Sequence, residues 1–316
     1  MKKQIKNMVK ELPYLRQLFL GIDQLRAELD EYKADQASMF VPPGHFYSPF
    51  PSIEEVKLNE ARIFNRIPKE LPGIDLNEEE QIILFNKFTE YYDEQPFAPH
   101  KKDNLRYFFE NPNYSYSDAI FLYCMIRYTR PTKIIEVGSG YSSCAILDTN
   151  ELFFDNVISC TFIDPYPELL LSLIKDSDKD RIEIIQKNLQ DIDISKFSEL
   201  SAGDILFIDS THVSKVNSDV NHIFFEILPI LKSGVYIHFH DIIYPFEYPK
   251  EWIYEGRAWN EAYLLRVFLQ YNSAFKIQLF NTFLELVHDD KDKLVKQMPL
   301  IMKNPGGSIW LKKIKA

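Results

Sequence analysis

Residues 131–143 read PTKIIEVGSGYSS, Pro131 through Ser143, and this stretch decides the fold. Ile134, Ile135 and Val137 make a short apolar, β-branched run after a proline, the pattern of a buried strand. Gly138 and Gly140 interrupt that run before Ser142 and Ser143, which can open a helix. The chain has ten glycines, and two of them fall here. Without a Cβ, glycine accepts positive φ and lets the backbone approach a ligand closely, while a helix N-terminus turns unpaired N–H groups towards an anion. Strand, glycine turn and helix therefore describe a cofactor cradle. Taken alone, the same pattern also fits an ordinary tight turn between a strand and a helix.

Working outward, apolar strands alternate with helical segments. After Lys133–Val137 come Val157–Ile163, Ile182–Ile185, Ile205–Ile208 and Val235–Phe239, with helices such as Glu168–Lys175 and Val216–Leu231 between them. Near-continuous apolar strands separated by helices imply a parallel sheet covered on both faces. Phe275–Phe280 and Ser308–Lys312 then read as strands either side of a helix at 290–298, and an antiparallel pair fits the end of the chain. The fold class is α/β: a Rossmann-like, doubly wound, mostly parallel sheet with an antiparallel C-terminal strand, plus a helical N-terminal cap. Residues 114–316 form the cofactor-binding catalytic domain, entered by a buried helix from Ser117 to Tyr128.

The preceding chain divides in two. Residues 1–40 are helical, with Leu15, Leu18, Ile22, Leu25, Leu29 and Tyr32 spaced 3, 4, 3, 4, 3. That stripe is either a coiled-coil seam joining two copies or a face laid on its own domain. Lys2, Lys3, Lys6 and Lys10 also allow weak contact with an anionic membrane surface. Residues 41–113 hold a proline-rich aromatic loop, Val41–Ser52, and a helical cap that includes Glu78–Tyr92. Prolines forbid regular structure in the loop, which reads as a hinge or a lid with His45 and Tyr47 near substrate.

The 316 residues are 46% hydrophobic and 14% aromatic, enough for a substantial core. A net charge of −10 disfavours a nucleic-acid partner and favours a small-molecule or glycan substrate. Three cysteines, Cys124, Cys144 and Cys160, lie in apolar segments and point to reduced thiols and a cytoplasmic protein. No apolar run is long enough to span a bilayer.

Polar residues collect where each strand stops. Glu136, Gly138, Ser139 and Gly140 follow the first strand, Asp164 the second, and Asn188, Gln190 and Asp191 the third. Asp209 ends the fourth strand, and His240 and Asp241 the fifth. In open α/β sheets ligands bind beyond these carboxyl ends. A carboxylate after the second strand can accept hydrogen bonds from both ribose hydroxyls, which makes Asp164 the adenosine marker; its alternative role is the N-cap of the helix after Pro165. Four of the seven histidines lie between His212 and His240. Strand alternation places His238 and His240 on one side, and His212 follows Asp209 by three residues.

In this order the motifs resemble those of the class I S-adenosylmethionine-dependent methyltransferases. The glycine stretch is similar to their first motif, the Asp164 strand to their second, Asn188–Asp191 to their adenine turn, and GDILFID (Gly203–Asp209) to their fourth. GHFYSP, EVGSGYSS, DSTH, HFHD and YP further resemble a bacterial subfamily grouped with macrocin-type and catechol-type O-methyltransferases. The resemblance implies that Glu136, Gly138, Ser139 and Gly140 hold the methionine end of the cofactor with Asp209, that Asp164 holds the ribose, and that Asn188 and Gln190 meet the adenine. It implies a base at His212, with Asp209 and His240 as its catalytic partners, and a divalent cation, magnesium or manganese, on Asp209, His240 and Asp241. Imidazole at position 240 departs from the all-oxygen ligand set, so a metal-free site with His240 as second base or donor stays open. Position 143 is serine, so the third glycine of a dinucleotide fingerprint is missing. A nucleotide-dependent oxidoreductase, a metal hydrolase and a non-catalytic cofactor-binding protein are the competing readings. Aromatic residues after the fifth strand, Tyr244, Tyr248, Trp252 and Trp259, either stack on an acceptor or pack a lid.

Overall fold

The structure is a computed structural model that describes residues 17–28, 39–287 and 291–315. The chain divides into two compact units, Met1–Glu60 and Ala61–Ala316. In the first, a helix covers 17–28, residues 39–52 form turns and bends, and a helix Ile53–Leu58 follows, capped by Ser52, whose hydroxyl accepts from the Glu55 N–H. Leu18 and Leu25 on the helix and Phe46 and Tyr47 in the loop are exposed. Leu15, Leu29 and Tyr32 of the heptad stripe, and the four N-terminal lysines, lie outside the described residues.

The second unit is built on one seven-stranded sheet. Its strands are β1 (Lys133–Val137), β2 (Ser159–Ile163), β3 (Glu183–Ile185), β4 (Ile205–Ile208), β5 (Tyr236–His240), β6 (Phe275–Phe280) and β7 (Ser308–Lys313), in the order β3-β2-β1-β4-β5-β7-β6. The first five are parallel, and β7 runs antiparallel between β5 and β6. The alternating pattern thus gives the doubly wound sheet, with its antiparallel pair closing one side.

Register is what makes a site. Val137 lies opposite both Ile163 and Ile208, Ile163 opposite Ile185, and Ile208 opposite Phe239. The next residue on each strand, Gly138, Asp164, Asp209 and His240, therefore falls in one row along the rim. Backbone bonds stitch the row: Gly138 N–H to Ile163 O at 2.9 Å, Asp164 N–H to Ile185 O at 3.1 Å, and Asp209 N–H to Val137 O at 2.9 Å.

Helices differ from expectation mainly at their ends. The entry helix spans Tyr116–Thr129, one residue longer at each end, because Ser115 rather than Ser117 takes the N-cap position and Ser117 is buried with its N–H on Asn304 O. The helix expected over Val216–Leu231 runs Asp219–Ile230 and widens into a π-turn at Ile223–Ile227, next to Pro229, which has no N–H to give the preceding turn. Glu78–Tyr92 forms the helix its spacing predicts. With the segment before it, that helix covers the outer edge of β6. Asn77 Nδ2 donates to Ile277 O at 2.8 Å, and Phe280 N–H donates to Gln81 Oε1 at 2.7 Å, so side-chain amides occupy groups that would otherwise pair with another strand.

A buried ionic cluster ties residues 105–107 to the helix Tyr141–Phe154. Arg106 gives Nη1 to Asp148 at 2.7 Å, Nη2 to Glu151 at 2.7 Å and Nε to Asp178 at 2.7 Å, and its side chain is 1% exposed. Asp148 also accepts the backbone N–H groups of Arg106 and Tyr107. Burial alone would weaken the guanidinium's hold on its proton, but Asp178, Glu151 and Asp148 reverse this and raise its pKa. Arg106→Met keeps the length and strands two buried carboxylates. It should lower the unfolding free energy by about 3–5 kcal/mol in urea denaturation. A loss under about 1 kcal/mol, the value of a surface pair, would show that the carboxylates regain water instead.

Candidate active site

The glycine turn is held from beneath. Glu136 is fully buried at the end of β1, and its carboxylate accepts from the hydroxyls of Ser142 and Ser143, the latter at 2.6 Å. Ser143 Oγ in turn accepts the Gly140 N–H at 3.0 Å. Burial raises the Glu136 carboxyl to about 8, against the lowering effect of the two serines. Glu136 therefore braces the loop from the protein side. Each of its oxygens accepts from one serine, and the buried side chain is not part of the lining of the cleft above. Gly138 has φ +85°, and a Cβ there would lie 1.8 Å from the Asp209 carbonyl oxygen, so position 138 admits only glycine.

Above the turn opens a cleft of about 390 Å³. Gly138, Ser139, Asp164, Asn188, Gln190 and Asp209 line it, six of the expected cofactor residues; Glu136 and Gly140 do not. Asp164 accepts from Ser139 Oγ at 2.7 Å and from the Tyr166 N–H at 2.8 Å. It thus holds the turn at Pro165 and Tyr166 and lines the cleft, with lone pairs to spare for a ligand's hydroxyls, while the N-cap position of the next helix, Glu168–Leu173, falls to Pro167. Asn188 Nδ2 reaches Asp191, and Gln190 Nε2 donates to Asn217 O, so the adenine turn is tied to the loop after β4. That loop adds Thr211, Lys215 and Asp219 to the lining, none of them singled out from the sequence. Tyr166 also lines it, next to Asp164-Pro165, and adjacency to that motif was the available signal.

On the β5 side of Asp209 lies a second group of charges. His212 Nε2 is 3.5 Å from Asp209 Oδ1 and 3.4 Å from Asp241 Oδ2, while His240 Nε2 is 3.5 Å from Asp241 Oδ1. Asp209, His240 and Asp241 each offer one donor atom within 4.8 Å of the others. His212 Nδ1 lies 2.9 Å from Glu261 Oε2. Burial would depress the His212 imidazole, but Asp209 and Glu261 overcome it and push its pKa up to about 10. His240 is raised too: burial opposes its charge, and Asp241 and Asp209 prevail. Asp209 would be raised by burial, yet His240 and His212 hold it below the usual carboxylate range. These carboxylates favour the protonated form of the His212 imidazole.

His238 shares the strand face with His240, as alternation requires, with ring centroids 5.9 Å apart. It is stacked on Phe207 at 3.9 Å, fully buried, and burial together with its neighbour His240 drives its pKa well below the ordinary value. It is a neutral core residue. Of the aromatic loop, Tyr244 and Tyr248 are buried, and Trp259 lies against the His212 ring with centroids 4.4 Å apart. His45 and Tyr47 belong to the first unit, where the Tyr47 N–H donates to His45 Nδ1 at 3.2 Å. Glu261, 49 residues from His212, had no signal in the sequence.

Residues 135–242 match a family described as a methyltransferase domain. An uncharacterised protein of Archaeoglobus fulgidus is 37% identical over 166 residues, a match spanning 50% of this chain and 73% of that protein. Among solved structures, the O-methyltransferase TomG of Streptomyces achromogenes aligns at 13% identity and TM-score 0.41, covering 83% of this chain and 96% of that one. A putative caffeoyl-CoA O-methyltransferase of Staphylococcus aureus aligns at 15% identity and TM-score 0.42, covering 75% and 100%. Likenesses this distant bear on neither substrate nor mechanism. No described helix is long and apolar enough to cross a membrane. The matched domain runs from β1 to just past β5 and takes in the glycine turn, Asp164, Asp209, His240 and Asp241; the oxidoreductase, hydrolase and non-catalytic readings fall with it, and the chain belongs to the class I S-adenosylmethionine-dependent methyltransferases.

Proposed function

We propose that this methyltransferase acts on a hydroxyl oxygen of a small molecule or glycan in the cytoplasm, with Asp209, His240 and Asp241 holding a divalent cation and His212 accepting the hydroxyl proton. The observation that carries the reading is the shared position of Asp209, which lines the cofactor cleft and also faces His212 and the donor atoms of His240 and Asp241.

The cleft suits the cofactor. Its volume falls in the range of small-molecule sites, Gly138 removes the side chain that would close it, and Asp164 presents free acceptor capacity for ribose hydroxyls. Asn188 and Gln190 line the cleft and are assigned to the adenine, and Gly138, Ser139 and Asp209 line it too and are assigned to the methionine portion. S-Adenosylmethionine supplies the electrophilic sulfonium methyl. Asp164→Ala should weaken S-adenosylhomocysteine binding about tenfold or more in calorimetric titration, the value of a charged hydrogen bond, without unfolding the protein. Unchanged affinity would remove Asp164 from the ribose.

The donor set suits a transition metal better than magnesium, because an imidazole nitrogen is a poor partner for a cation that takes oxygen ligands. A cation there would polarise the acceptor hydroxyl and lower its pKa. It would also screen Asp209 and Asp241, two of the carboxylates that keep His212 protonated, and so return Nε2 to service as an acceptor. Manganese should bind the chelator-treated protein more tightly than magnesium, and Asp209→Asn should abolish that binding in titration calorimetry. Absence of manganese binding to the wild type would favour the metal-free site, with His240 as a hydrogen-bond donor.

The role of His212 follows from reach and burial: it is 5% exposed, yet its Nε2 faces the two carboxylates at the rim. A positioned base contributes about 10²–10⁴ to rate. His212→Gln should cut transfer of radiolabelled methyl into a small-molecule extract by about 10² or more while S-adenosylhomocysteine still binds. Retained transfer would exclude the base. The exposed leucines at 18 and 25 support pairing of two copies through the N-terminal helix.

A further inference from the structure

We infer that Glu261 is the positioning residue for His212, fixing which ring nitrogen carries a proton and which faces the rim; the inference rests on the proton-acceptor reading of His212 given above. The loop after β4 delivers His212 in a strained backbone state, φ +59°, which a residue with a Cβ adopts only when its surroundings impose it. The four residues Trp259–Ala262 impose it. The N–H groups of Asn260 and Glu261 both donate to the His212 carbonyl, at 3.1 and 3.2 Å. Asn260 clamps the backbone of Ser214 from both sides, accepting its N–H at 2.6 Å and donating to its carbonyl at 3.2 Å. Trp259 covers one face of the imidazole. Tyr248 Oη receives the Ala262 N–H at 3.0 Å and fixes the start of the helix Glu261–Leu269.

Within that grip, Glu261 makes the one contact that distinguishes the two ring nitrogens. It is fully buried at the first position of a nine-residue helix, where the dipole favours a carboxylate. Its Oε2 lies 2.9 Å from His212 Nδ1, and its Oε1 has no partner among the described residues. A carboxylate only accepts, so Nδ1 keeps its proton in the charged and the neutral ring alike, and the proton that the ring gains or gives up is the one on Nε2, the nitrogen turned to Asp209 and Asp241. Without the contact, the ring is free to present the other tautomer, or to rotate about Cβ–Cγ within its slot beside Trp259. Serine, threonine or water in the place of Glu261 would serve either tautomer, since each both donates and accepts.

The test reads the ring itself and needs no acceptor. Protein labelled with ¹⁵N-histidine and loaded with S-adenosylhomocysteine is examined by long-range ¹H–¹⁵N correlation, and the His212 signals are assigned by their loss in His212→Gln. The wild type should show a slowly exchanging, strongly downfield proton on Nδ1. Glu261→Leu should lose that signal while S-adenosylhomocysteine affinity stays as in wild type. Glu261→Gln offers a neutral carbonyl at the same length, so it should retain the Nδ1 proton but shift it upfield. An Nδ1 proton unchanged in Glu261→Leu overturns the inference; if that variant does not fold, an unshifted proton in Glu261→Gln does so. Failure of the base reading would look different: His212→Gln would transfer methyl at the wild-type rate while the Nδ1 signal of the wild type still answered to Glu261.

Discussion

The structure depends on one close approach. Gly138 lies so near the Asp209 carbonyl that a single added carbon would sit 1.8 Å from the oxygen, and this contact joins the turn after β1 to the end of β4. Because the two strands are neighbours in register, every other feature of the rim is placed relative to that point. Asp164 falls one strand to one side, His240 one strand to the other. Glu136 and the serines of the following helix hold the turn from below, and Arg106 holds the same helix further along its length. Cofactor cleft and charged group are therefore two faces of one junction, and Asp209 belongs to both.

The charged group shows how burial and pairing divide labour among residues of one type. His238 and His240 stand two residues apart on one strand face, yet burial pushes the pKa of the first down while Asp241 and Asp209 push that of the second up. His212, on a loop, is raised for the same reason as His240 and gains Glu261 besides. Position relative to the carboxylates at the strand ends, rather than residue type, sets these protonation states. A cluster of two imidazoles and three carboxylates packed so closely is sustained because protons on the imidazoles offset the carboxylate charge, a role that a divalent cation could take over.

Much of this was legible in the chain. Apolar runs bounded by glycine or aspartate yielded the strands to within two or three residues, since a strand buried on both faces must be apolar along its whole length. The strand-end positions were readable for the same reason: a polar residue directly after such a run has nowhere to lie but the rim. What did not show was position along the strand. Glu136 lies inside β1 opposite Phe162 while Asp164 follows the last residue of β2, and the apolar runs did not show this offset between the carboxylate that meets the serines and the one that lines the cleft.

The sequence by itself determined the alternation of strands and helices, the glycine turn, and the row Gly138, Asp164, Asp209, His240, because each rests on local pattern and on a period of two along a strand. Only the tertiary structure decided the partners: Glu261 for His212 across 49 residues, Asp148 for Arg106 across 42, and the direction in which the pKa values of His212, His238 and His240 move. Those are set by distance and solvent exclusion between segments remote in the chain, and the periodicity that reveals an element carries no information about which other element it will touch.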